Sequence, residues 1–380
     1  MTYPRSSART VASMLWLMAT TTIGVSCQTI AGIEQRRLGP CGEYCDAVMN
    51  ACTGDLAAYA NYEACMGVCG LLPEGNALEP EDSNSVACRL SEARAATLSE
   101  PDVHCIGAGP TGGESCKALA GKTSVGCESY CMLYKQACGP EWYQYGTLSQ
   151  CATSCAALRD RGAFDAVHDH DGDTLQCRLV HVSAASVDPK THCEHAALAP
   201  PIAPCTDPAD SAPDCEHYCE VLGIACQGEY SQYDDAAGKA TQCLKVCSLL
   251  DPGKHGDTSV DTIGCRTYHA YNSLLAPATH CSHAGPTGDG HCGTEDAICD
   301  SFCSILEHGC HDSFVASFPN STCGEDCRKL ADATHDSHYS VTKGEAGGAT
   351  LSCRLLHAVR ALAGDQSACA AAVGAEPCIQ

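Results

Sequence analysis

The sequence predicts an all-α fold, a tandem array of four small disulfide-rich three-helix modules, and three observations carry that prediction. The 380 residues include 33 cysteines but only 5% aromatic residues, so cross-links rather than aromatic packing must supply much of the stability. After Cys27 the cysteines fall into four groups of eight, opening at Cys41, Cys127, Cys215 and Cys299, a period of 84–88 residues. Every group repeats one frame: C-x3-C-x6-C, a second C-x3-C after 12 or 16 residues, then C-x15/16-C after a gap of 17–25, and a last cysteine after 8–11 intervening residues. No stretch shows the two-residue alternation of a strand. The frame places the modules at 41–120, 121–208, 209–294 and 295–380.

Spacing assigns the elements in order. In "CGEYCDAVMNAC" Cys41, Cys45 and Cys52 fall at i, i+4 and i+11, which on a helix lie within about 40° of one another and give the first helix a disulfide face. The second C-x3-C pair, "CMGVC" in module 1 and "CATSC" in module 2, repeats that logic on a second helix. Tyr59 and Tyr62, or Trp142, Tyr143 and Tyr145, stand between the two and are expected to pack over the tip of the helical hairpin. A third helix begins at the sixth cysteine. Its lead-ins "NSVACR", "GDTLQCR", "VDTIGCR" and "GATLSCR" place Ser or Thr three residues ahead, an N-cap position. Pro101, Pro189 and Pro277 are expected to end it. Linkers such as "KALAGKTSVG" and "GTEDAI" are short, which predicts a semi-rigid array.

Two antiparallel helices with facing C-x3-C pairs resemble the α-hairpinin, or disulfide helical-hairpin, arrangement. Carried to module 1, that resemblance implies the pairs Cys41–Cys69 and Cys45–Cys65. For the remaining cysteines the expected pairs are Cys52–Cys88 and a local loop Cys105–Cys116, although spacing alone does not choose among the connectivities that eight cysteines allow.

The N-terminus carries an export signal. Arg5 and Arg9 precede the apolar run "VASMLWLMATTTIGVS", which has the length of a signal-peptide core over residues 1–26, and no later stretch is apolar enough to cross a bilayer. The run ends in "GVSC", residues 24–27, which resembles the lipobox of bacterial lipoproteins and implies lipidation of Cys27, with residues 27–40 as lipidated N-terminus and tether. Plain signal-peptide cleavage near the same point is the alternative. Parity favours lipidation: removing Cys27 from the 33 leaves an even 32, all able to pair. The start "CQTIAGIE" is similar to the mature N-terminus of myxobacterial-type cysteine-rich surface lipoproteins. The implied localisation is the outer membrane or cell surface.

Charge narrows the partners. Residues 1–26 hold two arginines and no acid, so the mature chain carries 20 basic and 46 acidic residues, net −26. Such a surface repels phosphate backbones and anionic lipid, leaving the lipid anchor as the membrane contact and excluding nucleic acid. It attracts cations.

Comparing the four copies isolates the histidines. Module 3 has His269 four residues after Cys265, with His280 and His283 flanking Cys281; module 2 matches with His181, His192 and His195. Module 1 has Glu92, His104 and Gly107 at those places, and module 4 has His357, Ala368 and Ala371. All four modules keep the cysteine frame, so the full triads are surplus to folding. Three imidazoles brought together suit zinc or copper, with one coordination position left open; the same rings could instead cap carbonyls or pack between disulfides. Of the other histidines, "HDHDGD" at 168–173 reads as a solvated loop leading into the third helix, and His308 and His311 as surface residues.

Enzyme motifs are missing. "GKT" at 121–123 lacks the upstream glycine of a phosphate loop, and there is no G-x-S-x-G, H-E-x-x-H or C-x-x-C-H. The expected function is therefore a non-catalytic binding or adhesion scaffold recognising an unknown surface ligand or protein. Zinc or copper binding through the two histidine triads is the alternative. The two differ in what they demand of the rings, which converge in one case and point apart in the other.

Overall fold

The computed structural model describes residues 39–76, 84–116 and 125–379, apart from 163, 200–202, 209–210, 236–238 and 321. Cys27, its lipidation and the tether up to residue 38 lie outside the described residues. Within them the protein is all-helical, with no strand and only two isolated bridges, Arg159 to Thr174 and Asp251 to Thr262.

Module 1 shows how the repeat is built. Its first helix, α1 (Pro40–Ala51), has proline in its first turn, and α2 (Tyr62–Cys69) is capped by Asn61, whose side chain accepts from the Ala64 amide. Cys41 joins Cys69 and Cys45 joins Cys65, outer to outer and inner to inner, closing the hairpin. Helix α3 (Val86–Ala96) opens where Ser85 Oγ accepts from the Cys88 amide at 3.2 Å. Thr174, Thr262 and Thr350 make the same cap on α7 (Leu175–Ala185), α11 (Ile263–Ser273) and α17 (Leu351–Leu362), so the N-cap expectation holds in every module.

Two expectations need correction. The prolines do not merely end the third helix, which already stops at Ala96, Ala185 and Ser273; each opens a fourth short helix, α4 (Pro101–Ala108), α8 (Pro189–His192) and α12 (Pro277–His280). That helix changes the cross-links. Cys52 pairs with Cys105, not Cys88, and Cys88 pairs with Cys116, so the local loop Cys105–Cys116 does not exist. The physical reason is packing: α4 lies against α3 and touches α1, which brings Cys105 to the C-terminal end of α1, while Cys88, at the start of α3, meets the returning tail.

The same four-bond pattern recurs in α5 (Val125–Trp142), α6 (Leu148–Cys155), α7 and α8, in α9 (Cys215–Ala225), α10 (Thr241–Cys247), α11 and α12, and in module 4. Module 4 runs through α13 (Glu295–Gly309), α14 (His311–Ser317), α15 (Cys323–Cys327), α16 (Val341–Glu345), α17 and α18 (Cys369–Ala372). Every cysteine among the described residues is therefore a disulfide sulfur.

Two buried polar devices sit inside this frame. The tyrosine before the second cysteine donates to a carbonyl of the fourth-helix region: Tyr44 to Ala108 at 2.5 Å, Tyr130 to Ala196 at 2.6 Å and Tyr218 to Ala284 at 2.5 Å. The arginine after the sixth cysteine is fully buried in modules 1 to 3 and gathers backbone carbonyls; Arg89 reaches Gly109 and Pro110 at 2.9 and 3.1 Å. Phe302 replaces the tyrosine in module 4. The aromatic residues between the hairpin helices do pack there, with Tyr59 buried on Tyr44 and Tyr143 between Tyr134 and Tyr145.

Modules touch one another through more than their linkers. One apolar core runs from Tyr44 in module 1 to Ala284 in module 3, and a second gathers module 4 around Phe302, Leu355 and Val359 with Val246 of module 3. The segment "HDHDGD" is only in part the solvated loop expected: His168, His170 and Asp171 are exposed, while Asp169, Gly172 and Asp173 are buried. Asp173 is buried and bridges modules 2 and 3, with Oδ1 2.7 Å from Arg178 and Oδ2 3.0 Å from His217 Nε2, while Tyr271 donates to the same carboxylate. His308 and His311 are exposed, as expected.

Candidate metal centre

The third helix supplies the first ring of each triad, and the fourth helix with the residues after it supplies the other two. His181 lies on α7 one turn past Cys177, His192 is the last residue of α8, and His195 follows just beyond Cys193, which Cys138 fixes in place. His269, His280 and His283 occupy the same places, on α11, at the end of α12 and just beyond it, pinned by Cys226–Cys281. In both modules the rings converge. One nitrogen from each of the three lies within 4.8 Å of the other two.

The two clusters nearly superimpose in their internal distances. His181 Nδ1 is 3.0 Å from His192 Nδ1, and His269 Nδ1 is 3.1 Å from His280 Nδ1. His195 presents its ring edge-on to His181 at 4.9 Å between centroids, and His283 does so to His269 at 5.0 Å. A tetrahedral zinc with bonds of 2.0–2.1 Å spaces its nitrogens about 3.3 Å apart, so one edge of each cluster is close to that spacing and the third ring must close in by small rotations.

Orientation is also repeated. His181 Nε2 faces the His170 carbonyl at 3.4 Å, which holds Nδ1 as the inward nitrogen. The Thr258 backbone faces His269 from the equivalent position without reaching hydrogen-bonding geometry at Nε2. Neighbouring sulfurs add nothing, because Cys177–Cys205 and Cys265–Cys292 are disulfides and present no thiolate.

Burial lowers the pKa of five of these rings. It pushes His181 down to about 4 and His269 to about 4, in the latter with the help of His280; His283 falls to about 3 through burial and the neighbouring rings. His192 and His280 are lowered for the same reason. His283 is 3% exposed, and neither of its nitrogens has a hydrogen-bond partner; His195 Nδ1 is likewise unpartnered. An orphaned buried nitrogen costs on the order of 1–3 kcal/mol, and a bound cation is one of the few groups that would relieve it.

A pH prediction follows for the metal-free protein. The unfolded chain protonates His181, His269 and His283 near pH 6.5 and the folded chain protonates them only near pH 3–4, so their contribution to stability is full above about 6.5 and declines as pH falls toward 4. Thermal unfolding at pH 7 and pH 4.5 is expected to show a loss of about 2–3 kcal/mol per buried ring, two pH units at about 1.4 kcal/mol each. A His181→Gln, His269→Gln, His283→Gln variant with the same pH slope would refute the assignment.

Modules 1 and 4 show what the site becomes when it is lost. In module 1 His104 Nδ1 is 2.9 Å from Glu92 Oε2, and a Cβ at Gly107 would lie 2.7 Å from that same oxygen, so the carboxylate fills the third ring's space. Module 4 keeps His357, with its Nδ1 unpartnered.

A family model described as the BfoA family C-terminal domain matches the chain three times, at residues 25–119, 122–199 and 214–296. The chain belongs to the BfoA family. Those matches follow modules 1 to 3, the modules that share one core and keep the buried tyrosine and arginine. Curated relatives include two proteins called aurasperone B biosynthesis cluster protein A, both from Aspergillus niger, each 29% identical over 104 residues covering 27% of this chain and 32% of the relative. Bifonsecin B biosynthesis cluster protein A from Aspergillus brasiliensis is 27% identical over 104 residues, covering 27% of this chain and 33% of that protein. The chain thus spans about a third of the length of these relatives. No solved structure matches.

Sequence reasoning passed over several residues that the structure places at or beside the BfoA-family modules' sites. His291 stacks on His283 with centroids 3.6 Å apart, although "GDGHC" sets it directly before Cys292. Asp173 and His217 went unnoticed as partners because they belong to different modules. The buried arginines carried a readable signal, the dipeptide Cys-Arg in all four lead-ins.

Proposed function

We propose that the protein is a non-catalytic zinc- or copper-binding protein, exported and lipid-anchored through Cys27, that holds one ion on His181, His192 and His195 and another on His269, His280 and His283. The single observation that carries this reading is the convergence of three imidazoles at matching geometry in two modules, while the modules lacking a full triad keep the same disulfide frame. A scaffold whose histidines only cap or pack would have no need to bring them together twice.

Export and anchoring rest on the N-terminal sequence and on chemistry. Sixteen disulfides call for an oxidising compartment. No helix among the described residues is long and apolar enough to cross a membrane. The surplus of acidic side chains would concentrate cations at the surface, and an all-nitrogen set with no thiolate suits zinc or copper. The relatives' names state a biosynthesis cluster and not a reaction, so the proposal stands on the rings.

Elemental mass spectrometry on the oxidised, periplasmically expressed mature chain tests it, beside a His269→Ala, His280→Ala, His283→Ala variant. The expected result is one ion fewer in the variant. Equal metal content in both folded proteins, or none after incubation with zinc and copper, would return the protein to the binding-scaffold reading.

A further inference from the structure

We propose that the junction of modules 3 and 4 holds a separate divalent-cation site on His291, His335 and Asp336, of the zinc class, beside the module 3 triad. The site uses none of the triad's residues and does not depend on the triads binding metal.

One carboxylate faces two imidazoles. Asp336 Oδ1 is 2.9 Å from His291 Nε2, and its Oδ2 is 2.7 Å from His335 Nδ1. The two rings lie 4.3 Å apart between centroids. Their side chains are 34% and 38% exposed and that of Asp336 is 55% exposed, so a cation can reach all three from solvent. Two imidazoles and a carboxylate form a common ligand set for zinc, with positions left for water.

The surrounding residues hold this arrangement from inside the protein. Asp289 is fully buried, and its carboxylate accepts from Ser337 Oγ at 2.8 Å and from the His338 amide at 2.9 Å, seating the module 4 turn on module 3. Its Oδ2 also lies 3.2 Å from His338 Nδ1. Asp289, Asp336 and His338 all have positive φ, at 48°, 61° and 53°, which non-glycine residues adopt at a cost and keep only where neighbours fix them. Gly290, with φ of 75°, makes room for the second ring, because a Cβ there would come within 2.6 Å of His335 Cδ2. None of this has a counterpart in module 2, where Pro204 precedes Cys205 in the position of His291.

The consequence is an asymmetry between two otherwise matching modules. From His335 the rings run through His291 to His283 and His269 at 4.3, 3.6 and 5.0 Å, so an ion at the junction sits one ring from the buried triad.

Zinc counting by equilibrium dialysis and elemental mass spectrometry on the full oxidised chain tests the site. It compares wild type, a His335→Ala, Asp336→Asn variant and a variant with His181, His192, His195, His269, His280 and His283 all changed to alanine. Asparagine tolerates the positive φ of residue 336, and both junction positions are exposed, so circular dichroism should be unchanged in the junction variant. The expected result is one zinc fewer in the junction variant than in wild type, and one zinc retained in the variant without triads. A junction variant that keeps the wild-type count overturns the proposal, even if the triads prove to bind. A wild type holding a single zinc that the junction variant loses would sustain this site and defeat the triads instead. Should wild type hold no zinc, both fall.

Discussion

Replacing Cys52 and Cys105 together by alanine is expected to give a protein with no free thiol and a module 1 destabilised by about 4 kcal/mol, the chain-entropy cost of opening a loop of that size. The bond spans 53 residues and joins the end of α1 to α4, so its loss releases the fourth helix from the hairpin. Removing Cys52 and Cys88 instead strands Cys105 and Cys116, and two free thiols should appear on titration with a thiol reagent. If the Cys52→Ala, Cys88→Ala protein shows no free thiol and the Cys52→Ala, Cys105→Ala protein shows two, the connectivity described here is wrong. The corresponding bonds in modules 2 and 3, Cys138–Cys193 and Cys226–Cys281, also carry the fourth-helix histidines, and opening either should weaken metal binding in its own module alone.

Arg178→Ala is expected to cost about 3–5 kcal/mol, the loss seen when one partner of a buried ion pair is removed. The guanidinium is fully buried; it holds the Thr174 and Ala197 carbonyls at 3.1 and 3.2 Å and lies 2.7 Å from Asp173. Burial by itself would push the Asp173 carboxyl up, and the Arg178 charge with the His217 hydrogen bond outweighs it, holding the group below the usual carboxylate range. Without Arg178 a buried carboxylate is left between modules 2 and 3. Adding Asp173→Asn should recover part of the loss, because the neutral amide no longer requires a cation. Thermal unfolding of both singles and the double gives the coupling energy directly. An Arg178→Ala protein within about 0.5 kcal/mol of wild type would contradict the latch.

Much of the repeat was legible because cysteine spacing reports helical phase. Cys41, Cys45 and Cys52 had to share a face, and Ser85, Thr174, Thr262 and Thr350 had to cap what followed, since both rules act within one or two turns of chain. The fourth helix was not legible. Pro101, Pro189 and Pro277 serve equally to stop a helix or to start one, and the choice depends on the third helix, against which the new helix packs, and on the disulfide that ties it to the first helix of its own module. The wrong pairs Cys52–Cys88 and Cys105–Cys116 followed from that ambiguity.

The sites divide the same way. Sequence by itself determined the repeat, its helical class, the caps and the six histidines that distinguish modules 2 and 3, because each follows from local periodicity or from comparing copies of one frame. Tertiary structure alone decided that those rings converge, that His291 meets His335 and Asp336, and that Asp173 is a buried latch rather than a solvated loop. The physical reason is range. A cap or a helical face is settled by neighbours in the chain, whereas a coordination site or a buried ion pair joins residues from separate elements or modules, whose distance is set only when disulfides and core packing fix the backbone between them.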